Sequence, residues 1–240
     1  MQHASRKATS PHLSPASLIL IAAAMMGWAP WSVAATGPAD VDAWSSWVDE
    51  QEALQQRIAR VNEGDLDFIP GPSQGVVHHH RSRIFISDTS LLDGWVRLEQ
   101  CHVNLDRVAA AQIVFNPQRS RALEVVSFRN IDHAFAEANS VQLQGIHDDS
   151  EICLRAESRA LHSDDAAVFE LRNGPFMRRF LDGYYPLRLS LRIDHPRSLV
   201  LADFSPETQP GFAVTQADDH IAIEALFEGE LRTRFRFLAD

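Results

Sequence analysis

The sequence predicts a mainly β protein: an antiparallel β-sandwich, or a barrel-like variant of one, preceded by a single amphipathic N-terminal α-helix. Three observations lead there. From residue 76 onward apolar and polar residues alternate with a period of two. Turn pairs such as Asp93-Gly94, Asn173-Gly174, Asp182-Gly183 and Glu228-Gly229 interrupt that pattern at short intervals. No helical periodicity intervenes between those turns, as a parallel βαβ fold would require.

The chain begins with Arg6 and Lys7 ahead of an apolar run from Leu18 to Trp28, and small residues follow at Val33-Ala34-Ala35. This is the pattern of a secretory signal peptide over residues 1–35, with Thr36 as the expected mature N-terminus and a periplasmic or secreted destination. The apolar run is too short to span a membrane comfortably, and no later segment is long and apolar enough to do so. Taking away Arg6 and Lys7 from 22 basic residues leaves 20 arginines against 32 acidic residues, a net charge of −12. Such a field disfavours nucleic acid as a partner. Lys7 is the only lysine, so a P-loop, Schiff-base or general-base lysine is excluded from the mature chain.

Residues 36–66 read as the helix. Asp40 stands as its N-cap, Arg57 and Arg60 lie late, and Gly64 closes it. Val41, Trp44, Trp47, Val48, Leu54, Ile58 and Val61 fall mostly on one face. That face of helix 40–63 either packs on the following domain or docks a protein partner. Residues 67–75 (DFIPGPSQG) form a linker with two prolines and two glycines. The all-β domain occupies 76–240, with strands expected at 76–87, 95–105, 111–116, 121–128, 133–137, 141–146, 151–160, 167–172, 185–194, 198–204, 212–216, 220–227 and 230–237.

Cys101 and Cys153 are the only cysteines. In an exported chain an even pair reads as a disulfide. The alternative is that Cys101, beside His102, is a nucleophile or a metal thiolate. The run His78-His79-His80 leads directly into a strand. Residues two apart on a strand share a face, so His78 and His80 point together and His79 points away. Pairing Ile84 with Leu98 and Ile86 with Val96 gives apolar cross-strand neighbours and sets His80 opposite His102. His78, His80 and His102 would then gather at one end of an apolar row. Three imidazoles with an open position are a ligand set suited to Cu or Zn. A one-residue slip would move His102 to the other face.

A second stretch, LRNGPFMRRFLDGYYPLRL (171–189), holds Arg178 and Arg179 beside Tyr184 and Tyr185, the only tyrosines. Phe176 and Phe180 suit a short covering helix, from which the two arginines could hold a carboxylate or phosphate; alternatively they pair with local acids. G-x-S-x-G occurs once, as Gly71-Pro72-Ser73-Gln74-Gly75 within the linker rather than between a strand and a helix, and S-x-x-K, H-E-x-x-H and a Gly-rich phosphate loop do not occur. Asp132-His133 and Glu157 are available acid–base groups without a recognisable pattern. The resulting expectation is an exported, non-catalytic binding or accessory protein with a candidate Cu or Zn site. The competing expectations are an exported metal-dependent or carbohydrate-active enzyme, and an assembly protein that docks through its helix.

Overall fold

The computed structural model describes residues 62–71, 75–165 and 167–239. In chain order these form β1 (Asp67–Phe68), β2 (His79–Phe85), α1 (Ser90–Asp93), β3 (Trp95–Val103), β4 (Ala110–Val114), β5 (Ser120–Glu137), β6 (Ser140–Arg159) and β7 (Leu161–Asp165). They continue as β8 (Val168–Phe176), β9 (Arg179–Phe180), β10 (Gly183–Tyr184), β11 (Leu187–Asp194), β12 (Leu199–Ser205), β13 (Phe212–Gln216), β14 (His220–Glu228) and β15 (Leu231–Ala239). The protein is mainly β. The predicted helix over 36–66 falls outside the described residues, apart from its last few positions, where Asn62 makes an isolated bridge to Tyr184.

The larger sheet runs β1-β14-β11-β2-β3-β6-β4, with β13 also against β14 and β5 along β6. The smaller sheet runs β12-β15-β8-β7, and β9 and β10 form a separate ribbon. Pairing is antiparallel except between β2 and β11, which run parallel. About a hundred residues separate those two strands, so no tight turn dictates their direction, and parallel pairing needs only a long connection.

Alternation buries one face of each strand. Val96, Leu98, Gln100 and His102 of β3 turn inward beside Ile152, Leu154 and Ala156 of β6 and Leu187, Leu189, Leu191 and Ile193 of β11. From the smaller sheet come Phe169, Leu171, Leu231, Phe235 and Phe237, and both sheets contribute to one continuous apolar cluster. Fully burying side chains of this size stabilises by about 1.5–3 kcal/mol each.

Three local expectations are corrected. Asp67–Phe68, inside the stretch read as a linker, pairs with β14 because Phe68 packs on Phe212 and Phe227, with ring centroids 5.2 and 6.4 Å away. The strands expected at 121–128 and 133–137 are one strand, β5, and those at 141–146 and 151–160 are one strand, β6. Asn130, Gly145 and Asp149 take φ of 56°, 62° and 55°, and the register shifts between Arg129 and Ile131. The chain therefore passes these polar positions as a bulged, bent ladder rather than as turns. Last, Phe176 to Phe180 is not helical: Phe176 ends β8 and Phe180 belongs to β9.

β6 organises the larger sheet. Its first residues, Ser140 to Gln144, pair with β4, and Glu151 to Arg159 pair with β3 on the same side, while β5 follows it on the other. Cys101 of β3 lies directly opposite Cys153 of β6, with Cα atoms 4.1 Å apart, and the two form a disulfide. Among the described residues no helix is long and apolar enough to cross a membrane.

The disulfide spans 52 positions. The chain-entropy model assigns such a cross-link about 4 kcal/mol. Cys101→Ser/Cys153→Ser is therefore expected to unfold at clearly lower urea concentration than the oxidised protein. Dithiothreitol should lower the wild-type midpoint towards that of the variant and leave the variant's own midpoint unchanged.

Candidate functional site

β2 and β3 pair in the register that sets Ile84 against Leu98 and His80 against His102. The two rings stack with centroids 4.3 Å apart. His78, just before β2, reaches the same face, and its Nε2 lies 3.0 Å from His102 Nδ1. On the far side, His102 Nε2 lies 3.2 Å from Gln100 Oε1. An amide oxygen only accepts, so His102 carries its proton on Nε2, and its Nδ1 accepts from His78 Nε2–H. A short relay therefore runs His78 to His102 to Gln100. His80 meets the edge of Phe176, with ring centroids 5.3 Å apart, and its buried Nε2 has no hydrogen-bond partner among the described residues.

Burial sets the charge state of this cluster. Desolvation first, and then the Arg178 cation, lower the His78 pKa to about 4. Desolvation, with the neighbouring His78 and His79, lowers His80 to about 3, opposed by a hydrogen bond to Gln100. Desolvation likewise pushes His102 well below 6.5, followed by the effects of His80 and His78. All three rings are neutral at physiological pH.

Neutral imidazoles are the form that binds metals, but the three rings do not meet at one point. Among the described residues only Cys101, Glu151 and Cys153 offer three ligand atoms within 4.8 Å of one another, and both sulfurs are tied up in the disulfide. The thiolate and nucleophile readings of Cys101 are thereby overturned.

The histidines line a cavity of about 770 Å³. Its walls are largely apolar and come from several elements, among them Leu98 of β3, Ile113 of β4, Leu143 and Ile146 of β6 and Phe176 of β8. Ser158, which pairs with Val96 and Ser120, lies towards one end with Arg119, while His102 lies six residues further along β3. At about 3.3 Å per residue that separation is about 20 Å. The cavity is elongated and polar at both ends. Ligand pockets of this size and lining commonly hold small apolar molecules.

Arg178 and Arg179 also line the cavity. Arg178 grips Asp106 with both arms of its guanidinium, Nε lying 2.9 Å from Oδ2, and donates to the Pro186 carbonyl at 3.1 Å. Its fork is thus filled from within the protein. Arg179 stands over the Tyr184 ring at 5.4 Å. Tyr184 donates to Glu230 and Tyr185 to Asp182, so both hydroxyls serve the β9–β10 ribbon. Asp132 pairs with the exposed His147 rather than with His133, and Glu157 pairs with Arg121 at the surface. Sequence reasoning missed Gln100, Asp106 and Arg119. Gln100 had a signal, since it sits two residues before His102 on the same face; the other two lie in loops with no periodicity to follow.

No family model matches the chain, and no curated protein matches it. Among solved structures, an M1 zinc metallopeptidase from Deinococcus radiodurans bound to a Tyr-Ser-Ala substrate aligns over 73% of this chain and 43% of its own, with 9% identity and a TM-score of 0.37. Another structure of an M1 zinc metallopeptidase from that organism aligns over 74% and 43%, with 10% identity and the same TM-score. The chain spans less than half the length of those structures.

The lowered pKa values imply a pH dependence of stability. The folded values of His78 and His80 lie below 6.5, so the unfolded chain takes up protons first as pH falls. Their neutral state supports the fold fully above pH 6.5, and that support is lost as pH drops from 6.5 to about 3. Thermal melts at steps between pH 7.5 and pH 4 should fall less steeply for His80→Gln than for the wild type; parallel curves would show that His80 is not held neutral.

Proposed function

We propose that this is an exported, non-catalytic binding protein whose two sheets form a sandwich around a cavity for a small, largely apolar ligand. The cavity of about 770 Å³ carries this reading. The residue pattern of positions 1–35 supports export. The inward polar groups, the neutral histidine relay above all, supply orientation in a mostly apolar lining, which is how small-molecule sites combine affinity with specificity.

Ala111 of β4 lines the cavity and is only partly buried, so enlarging it fills space with limited disturbance of the core. Native mass spectrometry of protein made by export should show a retained small molecule. Ala111→Trp is expected to lose it, or to bind a lipophilic fluorescent probe at least about tenfold more weakly, with a thermal midpoint within a few degrees of wild type. Probe binding that is absent in the wild type, or equal in both proteins, defeats the reading.

A second reading keeps the copper or zinc site. The supporting observation is the 3.0 Å separation of His78 Nε2 and His102 Nδ1, close to that of two nitrogens each about 2.0–2.1 Å from one ion. A metal there would take the His102 lone pair that now accepts from His78, and His80 would have to turn to join. Metal analysis of the untagged exported chain decides it. Near-stoichiometric copper or zinc, lost in His78→Ala/His80→Ala and in His102→Ala, supports the site; equal weak binding in all three retires it.

A further inference from the structure

At the end away from the histidines the cavity adjoins a smaller one of about 350 Å³, and Arg119, Arg172, Asn173 and Gly174 line both. The smaller cavity is lined by four arginines, Arg119, Arg172, Arg232 and Arg234, and by no acidic residue. Arginines gather here on a chain whose net charge is −10. Three of the four have carboxylates elsewhere: Arg172 on Glu170, Arg232 on Glu230, and Arg234 on Asp203 and Glu170. Arg119 is half-buried and makes no ion pair among the described residues.

The pairing of β8 with β15 sharpens the point. Arg172 stands directly opposite Arg234, and like charges so placed repel. The neighbouring pair is Asn173 with Thr233. Both residues line the smaller cavity, Thr233 is 3% exposed, and among the described residues Asn173 Nδ2 and Thr233 Oγ1 are buried without a hydrogen-bond partner. An amide nitrogen can only donate, and a hydroxyl can donate. Two orphaned donors beside an unpaired guanidinium are an incomplete site for an oxyanion, since buried polar atoms otherwise find partners. Gly174 keeps the junction narrow-walled: its φ is +99°, and a Cβ there would lie 2.6 Å from the Leu231 carbonyl oxygen.

We propose that the ligand is a single-chain anionic amphiphile, whose apolar body fills the larger cavity and whose carboxylate or phosphate meets Arg119 at the junction with the arginine-lined one, where Asn173 and Thr233 turn their unpaired donors towards it. This rests on the cavity reading and adds the chemistry of the ligand's head. Arg119 supplies the charge, and the neutral donors of β8 and β15 supply direction. Arg172, Arg232 and Arg234 keep their own carboxylates, so the uncompensated charge available to the head is that of Arg119.

Calorimetric titration of the full exported chain with dodecanoate, dodecyl phosphate, dodecanol and inorganic phosphate tests this, beside Arg119→Met. The expected result is binding of one or both anionic chains at least about tenfold tighter than dodecanol, with the preference abolished in Arg119→Met and dodecanol binding unchanged there. The unchanged dodecanol affinity also shows that the variant is folded. Should the variant fail to fold, the wild-type preference must still shrink as salt is raised, because screening weakens the charged contact and leaves the alcohol's binding intact. Equal affinity of the wild type for dodecanol and both anionic chains overturns the anionic head and leaves the cavity reading standing. Inorganic phosphate binding as tightly as dodecyl phosphate overturns the amphiphile in favour of a free anion. Failure of every chain-bearing probe removes the cavity reading and this inference together.

Discussion

The register between β2, β3 and β6 is the constraint on which the rest of the structure depends. His80 opposite His102 and Cys101 opposite Cys153 are two views of one alignment. A slip of one residue would turn Val96, Leu98, Gln100 and His102 out to solvent and bring Arg97, Glu99 and Cys101 into the core. The apolar pairs oppose that slip energetically, and the disulfide opposes it covalently on the outer face. Because β6 also carries β4 and β5, the same alignment decides where the cavity's walls stand relative to its polar ends.

The inward row of β2 and β3 is not the most stable row this fold could hold. Ser82 and Gln100 follow His80 and His102 on the core face, where neighbouring strands carry leucine and isoleucine. Burying polar groups costs stability unless each is paired. The relay from His78 through His102 to Gln100 offsets part of that cost, yet His80 Nε2 and Ser82 Oγ remain unpaired. Apolar replacements would remove the penalty altogether. Polar groups kept beside a cavity at such a cost are what the proposed binding role accounts for.

Charge is arranged on two scales. Across the exposed faces arginine pairs with carboxylate many times, as in Arg83–Asp194 and Arg121–Glu157. Each such exposed pair contributes about 0–1 kcal/mol. The Arg178–Asp106 grip is more sheltered and ties the segment after β8 to the loop after β3. Arg119 stands outside this scheme, half-buried at the opposite end of the cavity and, among the described residues, without a carboxylate of its own.

The period-two pattern by itself determined the mainly β class, because alternation reflects which face is buried whatever the partner strand. The apolar pairs Ile84–Leu98 and their neighbours likewise determined that His80 faces His102, and the even cysteine count pointed to the disulfide. Tertiary structure alone decided the rest. Asn130 and Asp149 look like turn residues, but their left-handed backbone is equally suited to a bulge, and only the partner strand selects between the two. The parallel pairing of β2 with β11 and the two-sheet arrangement depend on contacts between residues about a hundred positions apart. The same holds for the junction where Arg119, Asn173 and Thr233 come together: they belong to a loop of the larger sheet and to two strands of the smaller one, and no local pattern in the chain records that these elements meet.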